Sequence, residues 1–139
     1  MATLYLSLGT NLGDRQSNLD TAIALIGQRI GTVSAKSGVM ETEPWGFESS
    51  NRFLNMVIKV ETDLEPFDLL HSTQDIECQL GRSKKTVNGE YHDRLIDIDI
   101  LLYDSLEMNT PELTIPHPRM FEREFVMKPL LQIAPELKK

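Results

Sequence analysis

Asp97 and Asp99 stand two residues apart in DRLIDIDILLY, residues 93 to 103, a run that is otherwise apolar and β-rich. In a strand, side chains at i and i+2 share a face, about 6.6 Å apart along the chain. Two carboxylates so placed repel each other, and burial would add a desolvation penalty. A divalent cation relieves both. Mg²⁺ is a hard ion that prefers one or two carboxylates together with water and substrate phosphates. The pair therefore suits metal-assisted phosphoryl transfer. The plainer reading is two solvated aspartates on an exposed sheet face, and a D-x-D pair alone does not choose between them. Ile96, Ile98, Ile100 and Leu102 are expected on the opposite face, packed under helices.

Cations flank the pair. Arg82, Lys84, Lys85 and Arg94 place four of the chain's fourteen Lys and Arg within thirteen residues. Polyphosphate needs such local charge, and arginine can hold it in a two-pronged fork. A charged run is usually a solvated loop, but in so acidic a chain a basic one carries more information. A second group, His117, Arg119 and Arg123, lies in IPHPRMFEREF, where prolines on both sides stiffen the backbone of His117. A structural histidine remains an equal reading there. Trp45, Phe53 and Phe125 stand at loop edges, and Asn55 interrupts FLNMVI. An amide can pair with the edge of a heterocycle while aromatics stack on its faces. Taken singly, the aromatics read equally well as core and Asn55 as a solvated side chain.

The composition bounds the rest. The chain has 139 residues, 40% hydrophobic and 25% charged, which suits one ordinary soluble domain. Its net charge of -7, from 14 basic and 21 acidic residues, leaves no broad basic surface for nucleic acid or anionic lipid. Cys78 is the sole cysteine, so no intrachain disulfide forms, which points to a reducing compartment. Cys78 itself reads as a small buried hydrophobe on a helix. The start, MATLYLSLG, lacks a basic n-region, and no apolar run approaches the roughly 20 residues of a membrane span. The expected setting is the cytoplasm.

Periodicity supplies the elements that must position these groups. TLYLSLG (3–9) alternates as a strand. Asp14 can cap a helix carrying Leu19, Ala22, Ile23, Ile26 and Ile30, with Gly31 as its stop. A weaker strand spans 32–41, a loop 42–52, and a strand 53–62. Pro66 opens a helix that runs to about Leu80. A polar loop covers 83–93, LIDIDILLY is the next strand, LEMNTPELTIP reads as a small hairpin or an irregular extension, and the tail from Met120 is helical but broken by Pro129 and Pro135. The order β-α-β-β-α-β predicts an α+β, ferredoxin-like core: an antiparallel sheet, two helices on one face and a short C-terminal appendage.

The motifs LSLGTNLGD, ETEPWG, FLNMVI, QDIECQLGR, RLIDIDILLY and LTIPHPRMFEREFVMKPLLQIAPEL occur in this order over nearly the whole chain. Together they resemble the 6-hydroxymethyl-7,8-dihydropterin pyrophosphokinases of folate biosynthesis. The resemblance implies a single pyrophosphokinase domain over residues 1–139. Such a domain transfers pyrophosphate from ATP to the pterin hydroxymethyl group and releases AMP, with two Mg²⁺ ions as cofactors. It implies metal binding by Asp97 and Asp99, which with Arg82 and Arg94 form the catalytic set. ATP contacts would come from Gln74, Glu77, Lys84, Ile100, Thr114, His117 and Arg123, and pterin contacts from Thr42, Pro44, Trp45, Phe53, Asn55 and Phe125. Glu77 also reads as an ordinary solvated helix acid. The expected partners are ATP and the pterin, with no nucleic acid and no membrane, and the expected state is a monomer. His92-Asp93, Lys84, Glu112 and Pro118 depart from the usual pattern. Two other readings stand beside it: a metal-dependent phosphohydrolase, and a non-catalytic pterin- or nucleotide-binding module.

Overall fold

A computed structural model describes residues 1–11, 13–42, 52–80 and 96–137. Pro44, Trp45, Arg82, Lys84 and Arg94 lie outside the described residues. The first strand, β1 (Ala2–Thr10), is followed by a turn in which Gly13 adopts a φ of 66°, a left-handed value that costs glycine little. Asp14 then caps α1 (Arg15–Arg29), its carboxylate accepting from the Ser17 N–H at 3.1 Å. Next come β2 (Gly31–Lys36), β3 (Met40–Thr42), β4 (Phe53–Thr62), α2 (Pro66–Gln79) and β5 (Asp97–Tyr103). Of the two readings of 106–116, hairpin or irregular extension, the hairpin forms, as β6 (Met108–Asn109) and β7 (Thr114–Ile115). A 3-10 turn at Met120–Glu122 leads into α3 (Glu124–Ile133).

The sheet runs β2-β4-β1-β5, all neighbours antiparallel, and β3 joins β4 along the edge that β2 also uses. The single strand expected over 32–41 is therefore two, because the chain steps out at Ser37. The Ser37 hydroxyl accepts from the Val57 N–H at 2.9 Å, while Val57 O accepts from Ser37 N–H at 2.9 Å, so the ladder continues through a side chain.

Alternation gives β1, β4 and β5 two buried faces. Leu4, Leu6, Leu8, Ile58, Ile98 and Ile100 pack against α1 and α2 through Leu19, Ile26, Leu69 and Ile76. Tyr5, Val57 and Leu101 pack on the other face against Met120, Val126 and Leu130 of the C-terminal segment. That segment thus forms a second helical layer, on the reverse face of the sheet, and is more than an appendage.

Several expectations change for local reasons. The β1–β5 register shifts between Tyr5 and Leu6, which pair with Leu102 and Ile100. The extra residue, Leu101, is a β-bulge that reverses the alternation. Leu102 therefore packs with the α3 cluster, and Tyr103 takes its expected place beside the other core. Cys78 is exposed, because Leu69, Thr73 and Ile76 set the inward stripe of α2 and Cys78 falls across the helix from it. Pro129 lies inside α3 and is buried there. It removes one backbone bond, and packing of α3 on the sheet outweighs the loss. Gly31 opens β2 instead of capping α1. A Cβ there would lie 2.0 Å from the Glu61 carbonyl oxygen, so the glycine permits close approach of two backbones. Gly31→Ala should accordingly destabilise the protein by about 1–3 kcal/mol in chemical denaturation, the usual cost of overpacking; an unchanged midpoint would show that β2 can yield freely.

Candidate active site

Asp97 and Asp99 project from the first half of β5, half-buried, on the face that α3 covers further along the strand. Ile96, Ile98 and Ile100 alternate with them into the core. Among the described strands β5 pairs only with β1, and its outer side meets α2. There Glu77, 5% exposed, accepts the Ile98 N–H at 2.8 Å. This is no solvated helix acid. Its carboxylate holds the backbone midway between the two aspartates.

A cleft of about 440 Å³ opens along this edge. Gln74 and Glu77 of α2, Asp97 and Asp99 of β5, and His117 and Arg123 of the C-terminal segment line it together. A second hollow of about 250 Å³ shares Asp99 and His117 with it and extends to Ile100 and Thr114. Eight predicted positions thus line these two adjoining hollows, from three separate stretches of chain. Leu70 and Thr73 of α2 line it too. They carry no sequence signal beyond helical periodicity.

His117 is fixed through its backbone, whose N–H donates to Leu101 O at 2.9 Å. Its Nδ1 accepts the Arg119 N–H at 3.2 Å, so the neutral ring carries its proton on Nε2. Burial is the largest influence holding its pKa below the ordinary value, Arg123 and Arg119 add to it, and Asp97 opposes them. The Arg123 guanidinium lies 5.7 Å from the centre of the Phe125 ring, within reach of a cation–π contact.

Of the positions expected to meet a pterin, Thr42, Phe53 and Asn55 lie on β3 and β4, across the sheet from Asp97. Cross-strand register sets Asn55, Gly9 and Asp97 in one row over β4, β1 and β5. Two inter-strand steps, roughly 9–10 Å, separate Asn55 from Asp97. Asn55 is buried, and its Nδ2 donates to Thr42 Oγ1 at 2.7 Å. A Cβ on Gly9 would stand 3.2 Å from Asn55 Oδ1 and 3.7 Å from the Phe53 ring. Gly9 therefore leaves a bare floor between the amide and the carboxylates. An isolated glycine inside a strand was the available signal for this close approach.

Among the described residues no group of three or more His, Cys, Asp or Glu could hold a metal alone. Two carboxylates on an open cleft fit an ion that completes its shell with water and phosphate, as Mg²⁺ does. They do not fit a closed structural site.

The His117 environment is testable by NMR. Its ring should titrate with a midpoint below 6.5 in the ligand-free protein. Arg123→Met removes a positive neighbour, which makes protonation easier, so the midpoint should rise. A midpoint at or above 6.5 in the unsubstituted protein would contradict this account of burial and charge.

Comparison with known proteins identifies the family. The family model for 7,8-dihydro-6-hydroxymethylpterin-pyrophosphokinase (HPPK) matches residues 5–135. A 2-amino-4-hydroxy-6-hydroxymethyldihydropteridine pyrophosphokinase of Porphyromonas gingivalis strain W83 is 51% identical over 138 residues, covering 99% of this chain and 94% of that protein. Its counterpart in Bacillus subtilis strain 168 is 43% identical over 136 residues, covering 97% and 80%. Among solved structures, an HPPK-DHPS protein in complex with substrates superposes with a TM-score of 0.76 at 18% identity. The Plasmodium falciparum HPPK-DHPS triple mutant S436F/A437G/A613T with STZ-DHP gives 0.80 at 16%. Each covers 99% of this chain, while the chain spans about two fifths of theirs, 41% and 40%, and at such identities they show the fold alone. With three α-helices among the described residues packed on an antiparallel sheet, and relatives matched over nearly its whole length, the chain belongs to the 7,8-dihydro-6-hydroxymethylpterin-pyrophosphokinase family.

Proposed function

We propose that this chain, as a single domain, transfers the β,γ-pyrophosphoryl group of ATP to the hydroxymethyl oxygen of 6-hydroxymethyl-7,8-dihydropterin, giving the pterin diphosphate and AMP. The observation that carries this reading is the shared groove: two carboxylates, His117 and Arg123 line one cleft, and Asn55 stands in the same cross-strand row as Asp97. A hydrolase would need no such heterocycle-reading row, since its nucleophile is water.

In this reading Asp97 and Asp99 hold two Mg²⁺ ions. Bound there, Mg²⁺ neutralises charge on the triphosphate oxygens. The protein side chains supply position and complementary charge. His117 offers Nε2–H to a phosphate oxygen, and Arg123 adds charge beside it. Gln74 and Glu77 bound the nucleotide side, and Thr114 and Ile100 line the hollow assigned to adenosine. Asn55 reads the pterin edge, Thr42 fixes the amide, and Phe53 and Phe125 flank the ring. Lining up the hydroxyl with the β-phosphorus across the Gly9 floor supplies proximity, the main resource of a pyrophosphokinase. Pro44 and Trp45 complete the pterin side and Lys84 the ATP side, while Arg82 and Arg94 stabilise the leaving AMP. We read the core as ferredoxin-like, the protein as a cytoplasmic monomer, and its partners as the two substrates without nucleic acid or membrane. No helix among the described residues is long and apolar enough to cross a membrane.

Chromatography of ATP products separates the readings. AMP that appears only when pterin is present supports transfer, and phosphate released without pterin supports hydrolysis. Asp97→Ala and Asp99→Ala should each lower turnover at least about a hundredfold, since metal-held charge is worth several kcal/mol in the transition state. The circular dichroism spectrum should not change, because neither side chain packs in the core. A near-normal rate in either variant would refute the metal assignment.

A further inference from the structure

Arg15 occupies the first position of α1, directly after the Asp14 cap. A cation there faces the positive end of the helix dipole, so the helix gains nothing from it. Its guanidinium reaches across to the sheet instead. One nitrogen, Nη1, donates to the Glu41 carboxylate at 3.0 Å and to the Arg52 carbonyl oxygen at 2.9 Å. Glu41 is the central residue of β3, and Arg52 immediately precedes β4. A single donor atom therefore clasps both strands where Glu41 pairs with Leu54 and Thr42 with Phe53. Strand β3 is three residues long and, among the described strands, pairs only with β4, so its ladder alone holds it weakly. The next residue, Thr42, receives the Asn55 Nδ2–H, and that bond fixes which end of the amide faces the Gly9 floor.

We propose that Arg15 is a positioning residue for recognition of the pterin: by clasping Glu41 to the Arg52 backbone it keeps Thr42 where it orients the Asn55 amide. The proposal rests on the function assigned above. Arg15 touches no substrate and acts through Glu41, Thr42 and Asn55 in turn.

The test compares Arg15→Met and Arg15→Lys with the unsubstituted protein, using MgATP and 6-hydroxymethyl-7,8-dihydropterin, and follows the Asn55 side-chain amide by NMR without ligands. Arg15→Met should raise KM for the pterin roughly threefold to tenfold, the range an exposed ion pair with a second hydrogen bond supports. Turnover at saturating pterin and KM for ATP should stay within about twofold. The Asn55 amide resonances should move, and Arg15→Lys, which keeps the charge and a donor, should recover most of the loss. A purely structural role would instead lower the active fraction and the melting temperature while leaving KM for the pterin and the Asn55 resonances in place; that result, or no change at all, overturns the proposal. If the unsubstituted protein makes no AMP from ATP and pterin, the assigned function fails, and the Asn55 resonances of ligand-free Arg15→Met still decide whether Arg15 governs the amide.

Discussion

Strand β5 has to satisfy two demands that pull against each other. Ile96, Ile98 and Ile100 must be buried to close the core beneath α1 and α2. Asp97 and Asp99, interleaved with them, must stay together on the other face despite their mutual repulsion. The strand meets both demands because its inner edge is fastened to β1 and its outer side is held by the Glu77 carboxylate at Ile98 N–H. The apolar residues fix the register, and a one-residue slip would carry both carboxylates into the core. The pair of charges is therefore as firmly placed as the core itself.

The reverse face of the sheet is divided. The bulge at Leu101 and the α3 layer close it over Tyr5 and Val57. Beyond that layer the face carries Gly9, Asn55 and the aspartates, and Arg123, just before α3, lines the cleft with the aspartates. One segment thus does two things: it seals half of the face and brings the Arg123 guanidinium to the cleft that the aspartates line. The Arg123 guanidinium also lies over the Phe125 ring two residues on, which ties the cleft residue to the helix that seals the face.

Much of this was legible beforehand, for identifiable reasons. Period-two alternation placed β1, β4 and β5 within a residue or two, and the Asp14 cap and Pro66 start marked α1 and α2. Asp97, Asp99 and His117 stood out because their chemistry contrasts with their neighbours. What stayed hidden depends on tertiary context. The bulge that turns Leu102 over is a property of pairing with β1, and no local residue announces it. Pro129 reads as a breaker because propensity ignores the sheet that α3 packs on. Glu77 resembles any helix acid until Ile98 N–H is brought to it. Gly9 looks like a strand defect until Asn55 is seen beside it. Arg15 looks like a surface charge at an unfavourable helix end until Glu41 and Arg52 fold over it.

In the proposed function, divalent ions make the neighbouring carboxylates compatible and also carry a nucleotide's phosphates. Crystals of the protein with a non-hydrolysable ATP analogue, the pterin and Mn²⁺ in place of Mg²⁺ would report this directly through anomalous scattering. The account predicts metal peaks in contact with both Asp97 and Asp99 and with the phosphate oxygens. Nucleotide bound in the cleft with both side chains free of metal would contradict it.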